Sequence, residues 1–176
     1  MRFSQVDIPG ARIVDLDRHE DERGWFARAW CAREFAKEGL AASVVQVNVS
    51  RNRRAGTVRG MHFQLPPSEE GKLVRCLRGR VFDVVVDLRP ESPAHRCWAG
   101  VELDEGSGRA LYIPPGCAHG FQTLQDDCEL LYLMSEFFDP ATATGVRYDD
   151  PALGIRWPRP VTEISEKDRS WPLLDP

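Results

Sequence analysis

The run from Val81 to Leu88 constrains the fold of this chain more than any other stretch. Alternate residues of a β-strand point to opposite faces, so the even-numbered apolar residues of this run can pack on one face while Asp83 and Asp87 lie on the other. Four neighbouring runs also set single polar residues in apolar, β-prone sequence: 56–64, 71–80, 112–124 and 129–138. This pattern predicts a β-barrel whose interior is a polar pocket.

The remaining chain supports an all-β fold in a single domain over residues 1–176. Further strands are predicted at 97–103, 109–113, 118–124, 129–135 and 153–157. Their regular spacing favours a sandwich or barrel over βαβ units. Residues Ala29 to Glu38 are good helix formers followed by Gly39, which predicts one short helix near the N-terminus. The tail after Trp157 is too irregular for a core element but could lay a charged residue over a pocket.

Composition excludes several classes of protein. The formal net charge is -4 and the pI is near 5.6, so binding to long nucleic acids is not expected, although a nucleotide remains possible. The five cysteines are widely spaced without a CxxC pair, which indicates a reducing cytoplasm. No apolar run approaches the roughly 20 residues of a membrane span. We therefore expect a cytoplasmic protein that does not bind membranes.

Four titratable residues stand where a chain that only filled a core would have Val or Leu. They are His62, Lys72, His119 and Tyr132. A lone histidine in an apolar strand is more often a satisfied core residue, and Tyr132 could equally be a core aromatic. His62 and His119 differ because Gly and Phe flank each one, so backbone can approach closely and desolvate one side of the ring. His19 and His95, which we place in polar loops, are predicted to have no function.

A metal site is the first alternative for these groups, since barrels of this kind often hold one with clustered His and Glu. The sequence has no HxH pair, and the ammonium of Lys72 would repel a divalent cation. General acid–base chemistry suits the residues better: a histidine accepts a proton, Tyr132 donates one and Lys72 stabilises an oxyanion. We therefore expect no metal and no cofactor.

Two further elements are candidates for ligand binding. Arg23 precedes Gly24 and the aromatic pair Trp25 and Phe26, where a turn could aim a guanidinium at an anion, although such a charge run is often only a solvated loop. Gln46 and Asn48 share one strand face, as would suit reading a nucleobase edge. Spacing alone favours a solvated face for these two amides.

Several motifs in order and in register resemble one known family. They are RGMHFQ (59–64), GKLVRCLRGRVFDVVVDLR followed by ESP (71–93), YIPPGCAHGF (112–121), the Tyr132 strand, ALGIRWP (152–158) and ISEKD (164–168). Together they resemble the dTDP-4-dehydrorhamnose 3,5-epimerase family, often called RmlC, over residues 21–172. The resemblance implies a cupin-like β-barrel (jelly roll), a homodimer without a metal, and a dTDP-linked 4-keto-6-deoxy sugar as substrate.

The resemblance also implies a role for each catalytic candidate. His62 would be the base that removes the proton next to the C4 ketone, with Asp168 orienting its imidazole. Lys72 would stabilise the enolate oxygen, and Tyr132 would return a proton from the opposite face. Substrate contacts are implied for Arg23, Phe26, Gln46, Asn48, Arg59, His119, Phe138 and Lys167.

Three positions depart from the family pattern, and several functions remain open. Arg28 and Ala143 stand where the family commonly has Glu, and Phe138 stands where it usually has Tyr. The nucleotide preference and the choice between C3, C5 or both carbons therefore stay undetermined. A non-catalytic cupin that binds a sugar nucleotide would not need both Tyr132 and Lys72, and a 4-keto to 3-keto isomerase would not need a tyrosine across the ring.

Overall fold

The computed structural model describes residues 1–175, and these are organised mainly as short antiparallel strands. The strands are β1 (Arg2–Gln5), β2 (Arg12–Asp15), β3 (Arg18–Asp21), β4 (Gly24–Ala27), β5 (Gln46–Asn52), β6 (Val58–Gln64), β7 (Lys72–Arg78), β8 (Arg80–Asp87), β9 (Trp98–Asp104), β10 (Ala110–Ile113), β11 (Cys117–Thr123), β12 (Cys128–Met134) and β13 (Ala143–Gly145). The helices are α1 (Ala32–Lys37) and α2 (Glu166–Arg169). The all-β prediction is confirmed.

Two sheets form the body of the fold. One has six strands in the order β1-β2-β10-β7-β12-β5, and the other has five in the order β13-β6-β11-β8-β9. The largest apolar cluster draws on both sheets, so the main core lies between them. From the six-stranded sheet it takes Val74, Leu111 and Leu130, and from the five-stranded sheet Val85, Leu103 and Phe121. This arrangement agrees with the predicted cupin-like jelly roll.

Strand β8 alternates as the sequence predicts, but both of its faces are buried. Val81 and Val85 point into the core between the sheets, on the same face as Asp83. Val84 and Val86 pack on the outer face, where a second cluster covers them. Its other members include Val146, Leu153, Ile155 and Trp157.

This outer cluster corrects one prediction about the C-terminal part of the chain. Residues 153–157 contain no strand, although one was predicted there. Instead turns hold the segment: the amides of Leu153 and Gly154 donate to the carbonyl of Asp150, and Trp157 Nε1 donates to the carbonyl of Tyr148. An irregular segment can therefore complete the core when turns and side chains satisfy its backbone.

Helix α1 is shorter than the predicted span. It begins after Cys31, whose backbone is extended (φ -154°, ψ 120°), and the carbonyl of Ala29 accepts a hydrogen bond from Arg75 rather than from a helical amide. At the other end Gly39 has φ +70° and its amide donates to the carbonyl of Ala36, as the predicted glycine cap requires. Phe35 anchors the helix in the core.

The charged segment after β2 forms a hairpin rather than the predicted exposed loop. Strand β3 pairs with β4 through a two-residue turn, with Asp21 opposite Gly24. Asp21 stabilises this turn because its carboxylate accepts hydrogen bonds from the backbone and the guanidinium of Arg23. His19 consequently lies in a strand, where it is exposed. Within residues 1–175, neither helix has the length and apolar character that a membrane crossing requires.

Candidate active site

A cavity of about 460 Å³ opens between the two sheets, a size typical of small-ligand sites. Strands β5, β7 and β12 line it from the six-stranded sheet, and β6, β11 and β13 from the five-stranded sheet. Helix α2 and the residues around it complete the wall. Nine of the twelve predicted site residues line this cavity: Asn48, Arg59, His62, Lys72, His119, Tyr132, Phe138, Lys167 and Asp168.

His62 and Asp168 form a hydrogen-bonded dyad. The distance between His62 Nε2 and Asp168 Oδ1 is 2.6 Å. Burial raises the pKa of the Asp168 carboxyl, but hydrogen bonds from His62, the amide of Gly60 and Ser165 outweigh it, so the net pKa lies below the usual value. An ionised carboxylate only accepts hydrogen bonds, so His62 Nε2 carries the proton and Nδ1 is left as the basic nitrogen.

The tail presents Asp168 to His62 through a local cap. Ser165 precedes α2, and its hydroxyl accepts a hydrogen bond from the amide of Asp168, as an N-cap does. The prediction that the irregular tail lays a charged residue over a pocket agrees with this geometry. Asp168 is buried, which sequence periodicity could not indicate for so short an element.

The two cavity histidines are direct cross-strand partners. His119 on β11 pairs with His62 on β6, so both rings project from the same face of the sheet. The strands approach closely beside them, since a Cβ on Gly60 would lie only 2.5 Å from the Cα of Gly120. Position 60 therefore requires glycine, in agreement with the close approach of backbone predicted beside these histidines.

His119 has its own carboxylate partner, which the sequence analysis did not assign. Its Nε2 lies 2.7 Å from Asp83 Oδ1, and both side chains are buried. Burial raises the pKa of Asp83, while the interaction with His119 opposes the shift. The isolated carboxylate in the β8 run was the sequence signal for this pair. A second imidazole–carboxylate pair thus lies beside the first.

Lys72 is held at the base of the cavity by two acceptors. Its Nζ lies 2.8 Å from Glu70 Oε1 and donates to the carbonyl of His62 at 3.0 Å. An ammonium group has three N–H donors, so one remains for a bound ligand. Glu70 lies in a run of Ser, Pro and Glu typical of an exposed turn, yet it is buried, and its Oε2 has no partner among the described residues.

Tyr132 lies on the sheet opposite His62. Its ring packs edge-on against His119, with the centroids 6.2 Å apart, and its hydroxyl lies 2.9 Å from Ser50 Oγ. Burial raises the pKa of the phenol well above its usual value, and the hydrogen bond with Ser50 opposes this shift. Tyr132 therefore keeps its proton at neutral pH and can act as an acid.

The mouth of the cavity combines cations, amides and aromatic rings. Arg59 Nε donates to Asn52 Oδ1 at 2.7 Å, and Lys167 Nζ lies 5.2 Å from the centre of the Trp171 ring. Both cations line the cavity, as does the exposed ring of Phe138. Forked guanidinium donors and an ammonium suit phosphate oxygens.

Three predicted binding residues lie outside the cavity lining. Gln46 supports the site indirectly, because its Oε1 accepts from the amide of Phe138 and its Nε2 donates to Asn48 Oδ1. Arg23 and Phe26 belong to the β3–β4 hairpin. The Arg23 side chain is 90% exposed, and Phe26 is 76% exposed. The single chain therefore does not bring these two residues together with the others.

The donor set of the cavity does not suit a metal ion. Across residues 1–175, no three His, Cys, Asp or Glu residues are grouped as ligands. The Lys72 ammonium, which donates to the carbonyl of His62, also places a positive charge in the cavity. An anionic or enolate oxygen is a better match for this cavity than a cation.

The two-sheet fold and its cavity of paired acid and base groups define a cupin-like isomerase. The model of the family described as dTDP-4-dehydrorhamnose 3,5-epimerase matches residues 5–176. The chain belongs to this family.

Relatives match along almost the whole chain. The dTDP-4-dehydrorhamnose 3,5-epimerase of Sinorhizobium fredii is 41% identical over 175 residues, covering 99% of this chain and 90% of the relative. The dTDP-4-dehydrorhamnose 3-epimerase of Streptomyces niveus is also 41% identical, covering 99% and 84%. A solved 4-keto-6-deoxy sugar epimerase from the novobiocin gene cluster of Streptomyces spheroides superposes with a TM-score of 0.92 at 41% identity, covering 98% and 87%. The resemblance found in the motifs is thus confirmed at the level of the family.

Proposed function

We propose that this protein converts dTDP-4-dehydro-6-deoxy-D-glucose into dTDP-4-dehydro-L-rhamnose by inverting C3 and C5, without a cofactor. The observation that carries the proposal is the placement of His62 and Tyr132 on the two facing sheets of one cavity. Inversion through a planar enolate needs a base on one side of the sugar and an acid on the other. Family membership and the names of the relatives support the substrate class.

In the proposed mechanism His62 Nδ1 takes the proton from the carbon next to the C4 ketone. The bonding electrons move into the carbonyl, and the free N–H of Lys72 donates to the resulting enolate oxygen. Tyr132 then gives its phenolic proton to the opposite face of the same carbon, which leaves a phenolate and an imidazolium. Solvent then protonates the Tyr132 phenolate and removes the proton from the His62 imidazolium. Asp168 stabilises the imidazolium through the hydrogen bond from Nε2.

Substrate binding follows from the charges at the mouth. Arg59 and Lys167 would bind the diphosphate, and His119 would contact the sugar beside His62. Asn48 and Phe138, held by Gln46, would form the edge and face of a nucleobase subsite. Phe138 lacks the hydroxyl that the family usually has at this position. Its ring can still pack against a base, but it cannot form the hydrogen bond that a tyrosine would make.

A homodimer would account for Arg23 and Phe26. Strand β5 is an outer strand of its sheet, and Val47 and Val49 on it are more than half exposed. An exposed apolar edge strand favours pairing with another chain. We propose that two copies associate along this edge. The exposed β3–β4 hairpin would then carry Arg23 and Phe26 to the cavity of the partner.

Two further attributes belong to the same proposal. Residues 1–176 would act as one domain, since both sheets contribute to the main core. The protein would work in the cytoplasm, in agreement with its five cysteines, each of which is a free thiol.

A C3-only epimerase is the second candidate, because a 3-epimerase is as similar to this chain as a 3,5-epimerase is. Incubation with dTDP-4-keto-6-deoxyglucose in deuterated water, followed by NMR at C3 and C5, separates the two. We expect deuterium at both carbons and the L-rhamno product, with an unchanged rate after treatment with EDTA. Deuterium at C3 alone would establish the second candidate. No deuterium at either carbon would establish a non-catalytic sugar-nucleotide-binding protein.

A further inference from the structure

A chain of side-chain hydrogen bonds runs from the mouth of the cavity to the phenol of Tyr132. Arg59 Nε lies 2.7 Å from Asn52 Oδ1, Asn52 Nδ2 lies 3.4 Å from Ser50 Oγ, and Ser50 Oγ lies 2.9 Å from the Tyr132 hydroxyl. Ser50 and Asn52 continue the inward-facing set of β5 that begins with Gln46 and Asn48. The reaction as described above gives no role to either residue.

The donors and acceptors along this chain fix the direction of its first two hydrogen bonds. A guanidinium has only donors, so the Asn52 atom facing Arg59 is the carbonyl oxygen. The Asn52 amide nitrogen then faces Ser50, and because it can only donate, the Ser50 oxygen is the acceptor. The carbonyl of Cys128, 3.5 Å from the same nitrogen, holds the amide in this orientation. Ser50 accepts in this hydrogen bond, and its own hydroxyl proton is available to Tyr132.

Strand register places Ser50 where it can reach the phenol. Leu130 on β12 is the direct partner of Ser50, and Tyr132 is the direct partner of Asn48. Ser50 and Tyr132 are thus diagonal neighbours on one face, a separation that a tyrosine side chain spans. Asn52 is buried, so water does not compete for its amide.

We propose that Ser50 is a positioning residue that donates a hydrogen bond to the phenolic oxygen of Tyr132, with Asn52 setting the direction of that bond. Because the phenolic oxygen accepts a hydrogen bond from Ser50, the phenol's own proton is free to point into the cavity. When Tyr132 gives this proton to the enolate carbon, its O–H bond breaks and a buried phenolate forms. The Ser50 hydroxyl then stabilises the phenolate, and hydrogen bonds to charged groups are stronger than those to neutral ones.

This inference rests on the proposed function, and two measurements on one sample separate their failures. Deuterium exchange reports removal of the proton by His62, and product stereochemistry reports proton return by Tyr132. In Ser50→Ala we expect inversion to fall on the order of 10- to 100-fold, the effect of one hydrogen bond to a charged group, while exchange stays within about twofold. Ser50→Thr keeps the hydroxyl and should restore inversion. Ser107→Ala, in the exposed turn between β9 and β10, is the matched control and should change neither rate.

A nearly isosteric variant tests the direction of the chain. In Asn52→Asp both terminal atoms are acceptors, so the Ser50 proton turns towards the carboxylate and Tyr132 must donate to Ser50 instead. Inversion should therefore fall relative to exchange, as in Ser50→Ala. Equal losses of exchange and inversion in both variants, or no loss in either, would overturn the inference while leaving the epimerase intact. Absence of exchange in the unmodified protein would instead refute the proposed function.

Discussion

Asp168 lies 106 residues after His62 in the chain, yet its Oδ1 is 2.6 Å from His62 Nε2. The contact joins the C-terminal tail to strand β6 and fixes which ring nitrogen is basic. A second hydrogen bond, from the amide of Gly60 to Asp168 Oδ2 at 3.3 Å, ties the carboxylate to the backbone of the same strand. The proposed base and its carboxylate are therefore brought together only when the tail folds over the two sheets.

Loss of His62 should abolish proton removal. With His62→Ala we expect no deuterium at C3 or C5 of the sugar, because the proposed base is lost. A positioned acid or base typically contributes about 10² to 10⁴-fold. NMR in deuterated water measures the exchange, and His95→Ala, in the exposed loop after β8, serves as the control. Exchange near the unmodified rate in His62→Ala would remove this residue from the mechanism.

Asp168 should also make stability dependent on acid pH. Its pKa is lower in the folded chain than in the unfolded chain, so its contribution to stability is fully present above the unfolded value, about 3.9. That contribution is lost as the pH falls through the lower, folded value. In Asp168→Asn the free energy of unfolding should therefore depend less on pH in this window. Denaturant titrations between pH 5 and pH 3 compare the two proteins, and parallel curves would contradict the prediction.

The buried pair of Glu70 and Lys72 should be far more sensitive to loss of one partner than of both. Glu70→Gln leaves the ammonium of Lys72 without its counter-ion in a buried site, and breaking such a pair typically costs about 3–5 kcal/mol. In the double variant Glu70→Gln with Lys72→Met no uncompensated charge remains, so much of the loss should be recovered. Urea unfolding of the single and double variants measures the coupling. Additive losses would show that the pair does not interact as the 2.8 Å contact implies.

The proposed dimer can be broken at its apolar edge. Val47 is more than half exposed on the outer strand β5, so a carboxylate there would be buried against the partner chain without a counter-ion. We expect the unmodified protein to have the mass of a dimer in light scattering at micromolar concentration, and Val47→Asp to have that of a monomer. Leu77→Asp changes a similarly exposed apolar residue on β7 and is the control. A monomeric mass for the unmodified protein would refute the dimer.

The sequence predicted the fold class because strand periodicity is a local signal. In β8 the alternation alone placed Val84 and Asp83 on opposite faces, and the structure has them so. Periodicity could not predict that residues 153–157 cover the outer face without forming a strand. That outcome depends on long-range packing against β8, not on any preference of the segment itself.

The cavity residues were predictable where a polar residue interrupts an apolar strand, as His62 and Tyr132 do. Glu70 was missed because it lies in a run of Ser, Pro and Glu typical of a turn, and only the fold buries it beside Lys72. Ser50 and Asn52 were missed for a different reason. They share the parity of Gln46 and Asn48, but a face of small polar residues on an edge strand does not differ from a solvated one until its partner strand is known.

Tyr132→Phe separates an epimerase from a catalyst of exchange alone. The substitution keeps the ring against His119 but removes the donor, so His62 could still take a proton and return a deuteron on the same side of the sugar. We expect deuterium incorporation to continue while little inverted sugar forms. If Tyr132 were only a core aromatic, Phe would be almost silent in both measurements and would cost about 1 kcal/mol of stability for one lost hydrogen bond. Exchange and product stereochemistry on the same sample decide the matter, because undiminished inversion in Tyr132→Phe would assign the final proton transfer to another group.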